Sequence, residues 1–175
     1  MRRSTATTEY LKESMGTALF ELMREKPLEK ISIEEMTARA DVGRSTYFRY
    51  FKSKEEVLSF KICCLWRRFD AEHGVTKIED GAEGARWFLR FCLETRDIND
   101  LLYAAGRQHC LLDAYLQMLS PEDGGDNDVL AYYARNFAAY ALFGIVNAWI
   151  MRGYKESPEE MEGFIRGSLG EEDRA

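Results

Sequence analysis

Two serines, Ser32 and Ser53, are each followed three residues later by a glutamate, and together they bracket a stretch that can fold in few ways. In such a capping box the serine oxygen takes a free amide of the first helical turn and the glutamate reaches back. Each serine therefore opens a helix. The first runs through Ala40 with Ile33, Met36 and Ala40 on one side; the second is long, carrying Val57, Leu58, Ile62, Leu65, Trp66 and Phe69 to a stop at Gly74. Between them Asp41-Val42-Gly43 breaks the pattern, and Arg44 to Phe51 is helical again with Tyr47 and Phe51 on one face. Upstream, Leu11, Met15, Ala18, Leu19, Leu22 and Met23 recur at about 3.6-residue spacing and end before Pro27. Two short helices joined by a tight turn and packed on a longer one make a helix-turn-helix unit.

Charge singles out the same place. The net charge is -6, yet residues 1–61 carry 12 Lys+Arg against 10 Asp+Glu, and residues 62–175 carry 12 against 20. From Arg44 to Lys54 there are four cations, four aromatic rings and no acid. A polyanion would meet only this head of an acidic chain. With Tyr47 and Phe51 facing inward, Ser45, Thr46 and Arg49 point outward and Arg44 sits at the exposed helix start. Arginine can take a guanine edge bidentately, and serine or threonine can serve a base or a phosphate. Lys52, Lys54 and the free amides at the Ser53 helix start would meet the phosphate backbone. The competing reading is an ordinary helical hairpin with solvated cations; the turn and the two capping boxes favour DNA.

ISIEEMTARADVGRSTYFRYFKSKEEVL resembles the N-terminal domain of TetR-family transcriptional regulators, and the match covers about residues 8–60. The resemblance implies an all-α homodimer with one reading head per subunit, a divergent C-terminal domain for ligand binding and dimerisation, and repression relieved by a small molecule. Carried over by position, it implies base contacts at Arg44, Ser45, Thr46 and Arg49. Phosphate contacts fall at Ser32, Phe48, Tyr50 and Lys54. This chain departs from the pattern where the family usually has tyrosine at Phe48, an apolar residue at Tyr47 and glycine at Asp41. FGIVNAWIMRGYKESPEEM is similar to a TetR-like subgroup with members that act through protein partners, so a coregulator of that kind is the alternative to direct DNA binding. The expected domains are residues 1–52 and 53–175.

The rest of the chain also reads as helix: around Glu83 to Glu94, one or two between Asp97 and Leu119, a long one from about Asp128 to Arg152, and Pro158 to Leu169 behind the N-cap Ser157. Ser120 to Gly125 reads as a loop, and the charged tail past Gly170 as frayed. Residues 136–151, NFAAYALFGIVNAWIM, are apolar nearly all round, so this helix needs cover on two fronts. A partner subunit would supply one of them, with Ala141, Gly144 and Ala148 on a common small face joined by Met161, Phe164 and Ile165. A central helix wrapped within one protomer is the other arrangement.

Trp66, Phe69, Trp87, Phe91, Tyr103, Tyr133 and Phe137, with His109 as the polar group, are candidates to line an effector pocket. Rings at helical spacing also serve as plain core. Cys63, Cys64, Cys92 and Cys110 show no C-x-x-C spacing and read as reduced core residues; no metal site or cofactor is expected. No hydrolase, phosphate-loop, dinucleotide or zinc-protease motif appears. The most apolar run, Phe137 to Met151, falls short of the ~20 residues of a bilayer span. A cytoplasmic protein with no membrane segment is therefore expected.

Overall fold

The computed structural model describes residues 2–120 and 128–168; the loop expected from Pro121 and the tail past Gly170 lie outside them. Among the described residues are nine α-helices: α1 (Arg2–Glu25), α2 (Ile33–Arg39), α3 (Arg44–Tyr50), α4 (Lys54–His73), α5 (Gly81–Glu94), α6 (Arg96–Ala104), α7 (His109–Met118), α8 (Val129–Met151) and α9 (Pro158–Ser168). The fold is all-α, as the periodicity requires. The starts were legible. Ser32 Oγ accepts from the Glu35 amide at 3.1 Å, and Ser53 Oγ from the Glu56 amide at 3.1 Å. At α9 the box is fully reciprocal, with the Glu160 amide donating to Ser157 Oγ at 3.1 Å and the Ser157 amide to Glu160 Oε2 at 2.8 Å.

The chain forms two compact units, residues 1–65 with 97–118, and residues 66–96 with 119–175. By packing, the first half of α4 and the helices α6 and α7 join α1, α2 and α3 in the first unit, a grouping distinct from the division by role expected at 52/53. Arg24 pairs with Asp97 at 2.5 Å, buried Ser59 donates to the Cys110 carbonyl at 3.1 Å, and Arg107 reaches Glu29 at 2.8 Å and Glu55 at 3.2 Å. Such ties across long sequence separations were invisible to local pattern.

In the first unit Met15, Leu19 and Leu22 of α1 are wholly buried, along with Met36 of α2 and Val57 and Leu58 of α4. α1 and α4 approach most closely at Gly16, where a Cβ would stand 2.6 Å from Lys61 Cβ. Lys61 is itself buried, and its ammonium is neutralised by Glu13 of α1 at 2.8 Å. A charge withdrawn from water needs such a partner. α6 ends at Gly106, φ 64°, with the Arg107 amide returning to the Leu102 carbonyl at 2.8 Å.

In the second unit α5 packs on α9 and α8; Phe88, Leu89, Phe91 and Cys92 of α5, Val146 and Trp149 of α8 and Ile165 of α9 are all buried. Asp80 caps α5, accepting from the Ala82 and Glu83 amides at 2.9 Å each, and takes Arg166 of α9 at 2.8 Å. Its carboxyl is held below the usual aspartate range, first by the Glu83 amide and next by Arg166. All four cysteines are buried, and burial pushes the Cys110 thiol up to about 12.

α8 spans the 23 residues expected between about Asp128 and Arg152, with Asp128 capping it by accepting from the Leu130 amide at 3.0 Å, so the helix is longer than the apolar run from Phe137. By length and composition alone it could cross a membrane.

Gly16→Ala tests the α1–α4 approach. Alanine favours a helix by about 1 kcal/mol over glycine, whereas an extra methyl in a filled contact costs about 1–3 kcal/mol. Lys61 Cβ cannot swing aside as a side-chain end could. The variant is therefore expected to lose stability in urea denaturation despite its better helix propensity.

Candidate nucleic-acid interface

α2 and α3 are joined by a turn whose geometry follows from the way α2 ends. The Asp41 amide donates to the Ala38 carbonyl at 3.2 Å and the Val42 amide to the Thr37 carbonyl at 2.9 Å, which places Asp41 at φ 54°. Glycine is the usual occupant of that left-handed position, and aspartate holds it at a cost on the order of 1 kcal/mol. Gly43 caps α3 through its carbonyl, which accepts from the Thr46 amide at 2.8 Å.

Tyr47, 2% exposed, and Phe51 anchor α3 from inside. Phe51 is not helical as expected: α3 stops at Tyr50 and Phe51 is extended, φ -134°. The extended backbone brings its ring edge-on to Phe60 of α4, with centroids 5.7 Å apart. Burial raises the Tyr47 phenol pKa, with Glu56 and Glu55 adding to it.

With that face buried, Arg44, Ser45, Phe48, Arg49 and Tyr50 are exposed and Thr46 half-buried. The surface matches the outward set expected from the sequence. Arg44 Nη1 lies 2.5 Å from Glu34 Oε1 of α2, and its guanidinium stands 5.5 Å from the Phe48 ring centre. Tyr50 hydrogen-bonds Thr8 and Arg49, and these bonds, Thr8 first, lower its phenol pKa.

Two candidates are held otherwise than expected. Ser32 is exposed, but its oxygen is engaged as the α2 cap, and the Glu35 carboxylate, besides taking the Ser32 backbone hydrogen bond, accepts from Lys26 at 2.7 Å. Lys54 is turned inward: its ammonium donates to the Leu28 carbonyl and, at 2.9 Å, to the Ile31 carbonyl. The Leu28 carbonyl opens the short 3-10 turn Leu28–Lys30, where it also accepts from the Ile31 amide at 3.2 Å, and the Ile31 carbonyl follows the turn; the cation serves both. Sequence reasoning missed this role, and it missed Glu34, because partners across a turn leave no periodic signal.

The pocket candidates do not form one group. Tyr103 and His109 belong to the first unit, and His109 is exposed. Trp66, Phe69 and Phe91 are buried in the second unit as a mutual ring cluster, with Trp66 centred 6.0 Å from Phe69 and 5.3 Å from Phe91; Trp87 lies 6.3 Å from Phe69. Rings filling one another's space are core. Tyr133 and Phe137 are no part of it: they are exposed on α8, Phe137 at 76%.

They share that exposed face with Tyr140, Ala141, Gly144, Ala148 and Met151. Phe164 of α9 is exposed and Met161 half-buried, but Ile165, at 6%, faces the protomer's own core rather than a partner. Gly144, Ala148, Met161 and Phe164 help to line an open groove of about 400 Å³ between α8 and α9.

Comparison with known proteins adds to this geometry. Residues 17–59 match the family described as bacterial regulatory proteins, tetR family, and residues 108–168 match a transcriptional regulator C-terminal region. Among solved structures, Lin0861 from Listeria innocua is similar in fold, with a TM-score of 0.69 at 16% identity over 94% of this chain and 91% of that one. No curated protein matches the sequence.

Lys54→Met separates the two roles open to that lysine. Taking the ammonium from the Ile31 carbonyl, and leaving the Leu28 carbonyl only the Ile31 amide, should cost about 1–3 kcal/mol in denaturant unfolding. The salt dependence of duplex binding should be unchanged. A phosphate contact would instead reduce the salt slope by about one.

Proposed function

Because the chain belongs to the tetR family of bacterial regulatory proteins, and is a transcriptional regulator with a helix-turn-helix, we propose that it is a cytoplasmic repressor that binds a pseudo-palindromic operator as a homodimer and releases it on binding a small-molecule effector. Residues 1–52 are the reading head and residues 53–175 the regulatory and dimerisation part. The observation that carries the reading is the exposed side of α3. Arg44, Ser45 and Arg49 are presented on a segment without acids while Tyr47 and Phe51 fix it from behind. A two-turn helix reaches few base pairs. Two heads at a spacing fixed by a dimer give the selectivity one lacks.

The exposed apolar face of α8 supports the second copy. Tyr133, Phe137, Tyr140, Ala141, Gly144, Ala148 and Met151 form one stripe, and the small residues at its centre permit close helix approach. An apolar stripe of this extent marks an interface. An effector that binds one separation of the heads better than another would shift operator affinity by that difference.

A protein-binding coregulator is the second reading, favoured by Phe48. Its ring is 58% exposed at a position where the resemblance implies a phosphate-bonding hydroxyl.

The first test is affinity for DNA upstream of the protein's own reading frame, across a salt series, for wild type and Arg44→Ala. Specific binding that falls with salt and weakens about 5- to 100-fold in the variant is the expected result. Weak, sequence-indifferent binding equal in both proteins would transfer the reading to the coregulator. Dimerisation is tested by Gly144→Arg. The space around Gly144 is open in the protomer, so the variant should fold normally and sediment as a monomer.

A further inference from the structure

Arg44, at the exposed start of α3, is held on two sides, by a carboxylate and by a ring. Glu34 Oε1 stands 2.5 Å from one guanidinium nitrogen, Nη1, and the Phe48 ring lies 5.5 Å from the guanidinium carbon. The carboxylate comes from the first turn of α2 and the ring from the second turn of α3, so the holder spans both helices of the motif. Both acidic and basic side chains remain more than half exposed, at 56% and 57%. Such a pair contributes little to fold stability. Its geometry has a use elsewhere.

We propose that Glu34 and Phe48 are positioning residues that aim Arg44 at one base pair and set the selectivity of the head; the proposal rests on the DNA-binding reading above. A guanidinium carries five donors in a rigid plane, and Glu34 approaches it at Nη1. The remaining edge is left to take the two acceptors of guanine. An arginine on a flexible stem loses rotamer freedom on making that contact, and one already held from the side and from the face loses less. The aromatic face attracts the cation without needing a hydroxyl, which accounts for phenylalanine at position 48.

Glu34 also acts against the wrong site. Its negative charge faces the same solvent as Arg44, on a surface that would meet phosphates. Where Arg44 finds guanine, the carboxylate stays paired at its other edge. Where it finds none, the guanidinium is drawn toward the phosphates and the carboxylate is left facing them. Like charges so placed lower affinity for non-cognate duplex, and discrimination gained by such repulsion is as effective as an added contact.

The test is selection of binding sites from random duplex DNA with the full-length wild type, Arg44→Ala and Glu34→Gln, followed by titration of the selected and altered sites. Wild type is expected to enrich one motif, and Arg44→Ala to lose preference at particular positions within it. Glu34→Gln should lose about tenfold in preference at those same positions, keep it elsewhere, and bind random duplex more tightly than wild type. Phe48→Leu should weaken the same positions less, and Phe48→Tyr, which keeps the ring, should leave them unchanged. Unaltered thermal unfolding of Glu34→Gln excludes a general loss of fold. If Glu34→Gln retains the preference that Arg44→Ala loses, the positioning role is overturned while the DNA reading stands. If wild type enriches no motif, both fall.

Discussion

Everything the head presents depends on the burial of one ring. α3 has seven residues, far fewer than the roughly 12–15 at which an isolated helix becomes even marginal in water. It exists because Tyr47 is packed inside the unit and Phe51 follows, turning out of the helix to meet Phe60. The two anchors fix the rotation of α3 about its axis. Rotation in turn decides which side chains reach solvent, so the outward set of Arg44, Ser45, Phe48 and Arg49 is a consequence of the inward one. The turn before it is less comfortable, since aspartate occupies a left-handed position at its first residue.

Much of this was legible along the chain because helix starts and helix faces are local properties. Ser32, Ser53 and Ser157 announce α2, α4 and α9 through side chains that bond amides three residues on, and Tyr47 and Phe51 lie one turn apart. What stayed hidden depends on contacts between distant segments. The Lys54 ammonium is drawn inward by carbonyls 23 and 26 residues upstream, and Glu34 meets Arg44 across a turn. The aromatic residues show the same limit from the other direction. Trp66, Phe69 and Phe91 share a helical spacing with many pocket linings, but spacing cannot say whether rings face a space or one another. Phe137 and Tyr133 read as pocket residues only because their helix was expected to be covered.

Charge and apolarity are sorted along this molecule by task. The head sets Glu34 against Arg44 of α3 and spends other acids on internal ties, Glu13 to Lys61 and Glu29 and Glu55 to Arg107. The larger acidic excess lies after residue 61, where Asp80, Glu159 and Glu162 bind arginines of α5 and α9. Such pairs hold helices in place, while the exposed stripe of α8 carries no charged side chain of its own and meets Arg152, Glu156 and Glu160 only along the groove at one end. Covering the uncharged part of the stripe strips no water from ions, which is the costliest part of making an interface.

The contact at Gly16 bears on how the head moves. A missing side chain lets α1 and α4 touch backbone to side chain, and beneath the contact Lys61 and Glu13 are paired out of water. Opening that crossing would expose an apolar seam and pull apart a charge pair at one stroke, so it belongs among the parts of a protein that open only when the whole unit does. The α2–α3 turn is tied more lightly: its bonds are between backbone groups near the surface, and the Glu34–Arg44 pair that spans it is more than half exposed. The amides of central α1 and the first half of α4 thus form a slow-exchanging floor beneath a turn that can breathe, and the reading helix can adjust its tilt without the platform under it giving way.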